Sequence, residues 1–155
     1  FSERPKRMIL PDINLLVYAL DTSSPWHDRA RLWWETRLNG TRMICLPWVV
    51  ILGLIRLLTN PRIYQNPYPP AEILTIIESW LALPHVRIIH PSEGHFQLMR
   101  ELIEQVGTAG NLTTDAHLAA IAIDRGLVLH SHDTDFARFP NLKWKDPLKG
   151  GGQKR

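Results

Sequence analysis

The chain has 155 residues, of which 45% are apolar and 21% are charged, as expected for one globular domain with a single core. Its one cysteine, Cys45, excludes an intramolecular disulfide and favours a reducing compartment. No run reaches the roughly 18–20 apolar residues that cross a bilayer. No apolar signal segment opens the sequence either, so we expect a cytoplasmic protein without a membrane partner.

The net charge of +3 does not by itself indicate a nucleic-acid-binding surface, because it comes from the ends of the sequence. Residues 1–7 and 149–155 together carry +5, which leaves −2 for residues 8–148. We expect a single domain at 8–148 with flexible or added tails at 1–7 and 149–155. Any contact with nucleic acid must therefore be inferred from individual arginines.

Short apolar runs alternate with amphipathic segments along the whole sequence. The apolar runs predict strands at 8–11, 43–46, 86–89, 127–129 and 142–144. Helical spacing predicts helices at 12–19, 26–38, 48–58, 70–83, 92–106 and 113–125. The predicted N-caps are Ser23 or Ser24 (with Pro25 as first helical residue), Ser92, and Thr113 or Thr114. The alternation predicts a three-layer α/β/α sandwich with a central parallel sheet of four to five strands.

Four aspartates stand where these elements would bring them to one edge of the sheet. Asp12 follows the first strand, Asp133 and Asp135 follow the fourth, and Asp115 lies in the first turn of a helix. Because ligands bind beyond the carboxyl ends of parallel strands, we expect all four carboxylates to face one crevice. Each aspartate alone could be a helix cap or a turn former. That interpretation does not explain why acids occupy corresponding ends of separate elements.

Such a cluster favours a divalent cation. Two carboxylates 4 Å apart repel by roughly 4 kcal/mol at an effective dielectric constant of 20, and a cation removes that cost. Carboxylate ligands without cysteine or paired histidine favour Mg²⁺ or Mn²⁺ over zinc. Mg²⁺ held by carboxylates in an α/β crevice typically serves phosphoryl chemistry. The residues therefore indicate a metal-dependent nuclease.

Five motifs carry a family resemblance, in order along residues 8–148. They are LPDINLLVYA (10–19), LPW (46–48), RLLTNPR (56–62), NLTTDAHLAA (111–120) and SHDTDFARF (131–139). At these motifs the chain resembles the PIN-domain ribonucleases and, within them, the VapC toxins of VapBC toxin–antitoxin pairs. The resemblance implies a PIN fold and an endoribonuclease that needs Mg²⁺ or Mn²⁺. It also implies a homodimer that a cognate VapB antitoxin inhibits.

Matched residue by residue, the resemblance implies that Asp12, Asp115 and Asp133 are catalytic metal ligands and that Asp135 is a further ligand. Asn14 and Ser131 resemble residues that hydrogen-bond these carboxylates and fix their geometry. The sequence departs from the family pattern at one position. Many members carry a glutamate three residues before the position of Arg56, where this chain has Gly53.

Two arginines are candidates for contacting RNA. Arg56 and Arg62 flank the start of a proline-rich loop on the element expected to face the crevice, where they could bind phosphates. Arg56 could instead be an ordinary ion-paired helix residue. The alternative function is a catalytically weak PIN-like module that binds RNA or a partner, which Gly53 motivates. A receiver-type domain is a third interpretation, although no suitable lysine follows the last strand.

Overall fold

The computed structural model describes residues 7–150, so most of both predicted tails lies outside the described residues. Five strands form one sheet: β1 Ile9–Pro11, β2 Ile44–Pro47, β3 Val86–Ile89, β4 Val128–His130 and β5 Trp144–Lys145. Six α-helices accompany them: α1 Ile13–Leu20, α2 His27–Leu38, α3 Trp48–Leu58, α4 Pro70–Leu81, α5 His95–Val106 and α6 Thr113–Arg125. Short 3-10 helices cover Gly110–Leu112 and Thr134–Arg138.

Every strand pair in the sheet is parallel, in the order β3-β2-β1-β4-β5. Helix α1 contacts α2 and α3, α3 contacts α4, and α5 packs on α6. The predicted α/β/α sandwich with a parallel sheet is thus confirmed, with five strands. The chain builds outward from β1 to β3 and then returns to the other side of β1, so the strand order reverses between β1 and β4. Ligand sites of open parallel sheets lie at such a point.

The central strands consist mainly of buried apolar residues because both faces of the sheet are covered. Ile9, Leu10 and Leu129 are completely buried, as is Phe136 in the 3-10 helix beyond β4. Helix α6 is apolar nearly all around because it is itself part of the core, with Ala116 to Ala122 buried except His117. It ends as predicted at Gly126, whose φ of 68° is the left-handed conformation that favours glycine at this position. Among residues 7–150, no helix is both long and apolar enough to span a bilayer.

The predicted N-caps are wrong. The N-cap of α2 is Trp26, two residues beyond Ser24, because the Ser24 hydroxyl accepts from the Trp26 amide in a turn that precedes the helix. The N-cap of α5 is Gly94, not Ser92. Helix α6 is capped at Leu112, because the 3-10 turn Gly110–Leu112 runs directly into it and places both threonines inside the helix.

Candidate metal centre

Asp12 lies at the switch point between β1 and β4. Its backbone amide donates to the His130 carbonyl at 2.9 Å, which fastens the ends of the two strands together. Its carboxylate accepts twice, from the Ile13 amide at 2.7 Å and from the Ser131 hydroxyl at 2.8 Å. Burial raises the pKa of Asp12, and these two hydrogen bonds oppose that rise. Asp12 is thus a rigid acid at the base of the crevice.

The other three acids form a tight cluster. One carboxylate oxygen each from Asp115, Asp133 and Asp135 lies within 4.8 Å of the other two. Asp115 is in the first turn of α6, and Asp133 is the N-cap of the 3-10 helix, where it accepts from the Asp135 amide at 2.9 Å. The structure therefore brings three of the four predicted ligands together, and it places Asp12 outside this set.

Charge accumulates at this cluster. The pKa of Asp115 is raised to about 7, first by burial and then by the negative charges of Asp12, Asp133 and Asp135. The influence of Asp12 on this pKa places it beside the cluster, although it is not part of it. A divalent cation would relieve this repulsion, and the donor set consists of carboxylate oxygens only, which suits Mg²⁺ or Mn²⁺. The cluster therefore fits a hard cation.

Ser131 connects Asp12 to the cluster. Its hydroxyl donates to Asp12 and accepts from the Asp133 amide at 3.0 Å, so one side chain fixes the positions of two of the acids relative to each other. The Asn14 side-chain amide also reaches the Ser131 hydroxyl, at 3.3 Å. The other side-chain atom of Asn14, Oδ1, is buried without a hydrogen-bond partner among the described residues. Ser131 therefore hydrogen-bonds a carboxylate as predicted, whereas Asn14 reaches the acids only through the Ser131 hydroxyl.

Comparison with known proteins agrees with this geometry. The PIN domain family model matches residues 9–142. The chain is 42% identical to Ribonuclease VapC33 of Mycobacterium tuberculosis over 142 residues, which cover 92% of this chain and 99% of that one. It is 34% identical to Ribonuclease VapC37 of the same organism, over 90% of this chain and 97% of that one. The chain belongs to the PIN-domain family. Within it, the chain is a ribonuclease of the VapC type.

The fold is also that of solved VapC structures. The crystal structure of VapBC2 from Rickettsia felis, bound to a DNA fragment from its promoter, superposes with a TM-score of 0.65. The match covers 89% of this chain and 97% of that one at 21% identity, so it bears on the fold alone. Family membership removes the receiver-type interpretation.

The position of the missing glutamate is occupied in this PIN domain by a neighbouring side chain. Gly53 is buried on α3, and a Cβ atom added there would lie 2.5 Å from Cδ1 of Ile13. The nearest charged atom is Nη2 of Arg56, 3.8 Å from that Cβ position. The space beside Gly53 is therefore taken by an apolar side chain from the residue after Asp12.

The two predicted RNA-binding arginines are both exposed, and neither forms a salt bridge with a residue between 7 and 150. Arg56 lies next to the contact between Gly53 and Ile13, near the crevice of the PIN domain. Arg62 lies in the loop between α3 and α4, and its amide donates to Asn60.

Sequence reasoning missed Trp144 and Asp146, which contact residues 131–132. The sequence did offer one signal for Asp146: it directly follows the last strand, as Asp12 directly follows the first.

Proposed function

We propose that Asp115, Asp133 and Asp135 hold a catalytic Mg²⁺ or Mn²⁺ ion and that Asp12 completes the acidic site from the adjoining strand. The proposal rests on one observation, the approach of three carboxylates to within 4.8 Å of one another at the end of β4. When bound, such a cation neutralises charge on a phosphodiester and makes water a better nucleophile. The reaction is hydrolysis of RNA.

The neighbouring side chains prepare this site before any ion binds. The Ser131 hydroxyl donates to the Asp12 carboxylate and accepts from the Asp133 amide, and the Asn14 side-chain amide donates to the same hydroxyl. Oδ1 of Asn14, which has no hydrogen-bond partner among residues 7–150, is a further acceptor on a side chain that contacts Ser131. Such partners of metal ligands fix ligand geometry, and their loss typically weakens metal binding about 10- to 100-fold.

We infer that Arg56 and Arg62 bind the phosphates of the RNA substrate. Both guanidinium groups are exposed and unpaired among the described residues, and Arg56 lies beside the crevice. Phosphate contacts of this kind position a nucleic acid without reading its sequence. Arg56→Ala should raise KM for RNA more than it lowers kcat.

The chain acts, in this proposal, as the toxin of a toxin–antitoxin pair, whose RNA cleavage in the cytoplasm blocks translation. A VapB-type antitoxin would be its partner, since solved relatives are complexes of VapB and VapC. A homodimer is supported by Trp48 and Leu52, two exposed apolar residues one turn apart on α3. The buried free thiol of Cys45 suits a reducing compartment.

The test is cleavage of total RNA by the purified protein with Mg²⁺, Mn²⁺ or EDTA. Asp115→Asn and Asp12→Asn should abolish cleavage, whereas Asp124→Asn should not. Asp124 is a matched control because it is exposed at the far end of the same helix as Asp115. Discrete fragments that need metal and disappear with the first two variants would support the nuclease. RNA binding without cleavage or metal affinity, in a folded protein, would instead favour the binding module.

A further inference from the structure

The segment after β5 is tied to the loop that carries two of the acids. Here residues 144–148 are called the C-terminal segment and residues 131–135 the acid loop. The Ser131 amide donates to the Lys145 carbonyl at 3.0 Å, and the Trp144 indole donates to the Ser131 carbonyl at 3.0 Å. A third contact joins side chains: Nδ1 of His132 lies 2.8 Å from Oδ2 of Asp146. The match to the PIN domain family model ends at residue 142, before this segment.

Asp146 is a buried carboxylate with both oxygens engaged. Its side chain is 4% exposed, and Oδ1 accepts from the Leu148 amide at 3.0 Å while Oδ2 faces His132. An ionised carboxylate only accepts, so with this form of Asp146 the bond requires the His132 tautomer that carries its proton on Nδ1. A buried carboxylate with charge-assisted hydrogen bonds on each oxygen holds its partner in one orientation.

The imidazole of His132 also packs against two aromatic rings. Its centroid lies 4.3 Å from the Trp26 ring and 6.1 Å from the Tyr18 ring, which meets it edge-on. Arg29 lies over Trp26 and donates to the Leu148 carbonyl at 3.0 Å, so the C-terminal segment also closes around Trp26. Packing and the hydrogen bond to Asp146 therefore both hold the ring of His132 in place.

We propose that Asp146, acting through His132, is a positioning residue that sets the geometry of the metal centre. His132 stands between Ser131 and Asp133, so fixing its ring fixes the backbone that aims the Ser131 hydroxyl and the Asp133 carboxylate. Ser131 in turn holds Asp12. Asp146 thereby controls the placement of two acids that belong to separate strands. This inference rests on the proposed metal centre at Asp115, Asp133 and Asp135.

The test measures Mn²⁺ affinity by the electron paramagnetic resonance signal of free Mn²⁺, with no RNA present. His132→Phe keeps a ring against Trp26 and removes the hydrogen bond to Asp146. His132→Asn loses the ring and keeps an amide donor where Nδ1 was. We expect about 10-fold or greater weakening in His132→Phe and in Asp146→Ala, and affinity close to that of the wild type in His132→Asn.

The double variant His132→Phe with Asp146→Ala should bind Mn²⁺ no more weakly than either single variant, because both changes break the same link. Asp146→Asn should retain most of the affinity, since its amide can donate to His132 in the other tautomer. Leu102→Ala, which truncates a buried side chain on α5, controls for lost stability and should leave Mn²⁺ affinity unchanged. Circular dichroism establishes that each variant is folded.

Two results would overturn the proposal while leaving the proposed function intact. One is that folded His132→Phe binds Mn²⁺ as tightly as the wild type while Asp133→Asn binds Mn²⁺ more weakly. The other is equal weakening in Asp146→Ala and Asp146→Asn, which would mean that Asp146 acts by its charge and not by its hydrogen bond to His132. If Asp133→Asn also binds Mn²⁺ as the wild type does, the metal centre itself fails, and the inference fails with it.

Discussion

Removing the charge of Asp115 should stabilise the metal-free protein at neutral pH. Its carboxyl is partly buried among three other acids, which raises its pKa from 3.8 to about 7. Between about pH 4 and pH 7, the unfolded chain has lost this proton while the folded protein still holds it. The free energy of unfolding therefore falls as pH rises through this window. Asp115→Asn removes the titrating group and with it this loss of stability.

The expected magnitude follows from the size of the pKa shift. About 3 pH units at 1.36 kcal/mol per unit correspond to about 4 kcal/mol at full effect. Asp115 is only half-buried, so solvent screening reduces this to about 2 kcal/mol. For a chain of this length, 2 kcal/mol corresponds to about 4–8 °C in melting temperature. At pH 4 the variant and the wild type should melt together.

The assay is thermal unfolding of both proteins in EDTA, followed by circular dichroism at several pH values from 4 to 8. The melting temperature of Asp115→Asn should exceed that of the wild type by an amount that grows through this range. Asp124→Asn, at the exposed end of the same helix, should show no such growth. Adding Mn²⁺ at neutral pH should stabilise the wild type more than Asp115→Asn, because the cation binds the folded state only where the acids are ionised. A constant difference between variant and wild type from pH 4 to 8 would refute the reasoning.

Three further substitutions test the surroundings of the site. Ser131→Ala leaves one buried oxygen of Asp12 without its donor and should lower the free energy of unfolding by about 1–3 kcal/mol; an unchanged midpoint in urea would contradict this. Gly53→Glu brings its Cβ within 2.5 Å of the terminal Cδ1 methyl of Ile13, which rotation of that side chain can move, so the substitution should cost only about 0.5–1.5 kcal/mol, and Ile13→Val should remove that cost by deleting Cδ1; equal melting temperatures of the single and double variants would refute the clash. Gly126→Ala places a side chain at a left-handed φ and should cost about 1–2 kcal/mol, and wild-type stability in thermal melts would show that the helix end adapts.

The fold was predictable because its determinants are local. Strands such as β1 and β4 are short apolar runs, and the helices between them show apolar spacing of period 3.6, so the alternation alone predicted a parallel sheet. The helix starts were not predictable in the same way. Ser24, Ser92 and Thr113 have the right side chains to cap a helix, but preceding turns, visible only in three dimensions, decide where each helix begins.

The acidic site was predictable in outline, because topology places Asp12, Asp115 and Asp133 at one edge of the sheet whatever the details of packing. The sequence could not show that both carboxylate oxygens of Asp12 accept hydrogen bonds or that Asp12 lies outside the cluster of the other three acids. That depends on Ser131, which lies 119 residues away along the chain. The contact between His132 and Asp146 was hidden for a similar reason, since nothing local indicates which groups surround a side chain at the end of a strand.

Gly53 shows why the absence of a family carboxylate does not by itself argue against a metal centre. Three acids already cluster beyond β4 with Asp12 beside them, and burial together with the charges of the other acids raises the pKa of Asp115 to about 7. A further carboxylate beside them would raise that pKa again, and a larger share of Asp115 would be protonated at neutral pH. A protonated acid is a poor ligand for a hard cation. With Ile13 filling the space instead, a divalent cation bound at the cluster has less negative charge to offset.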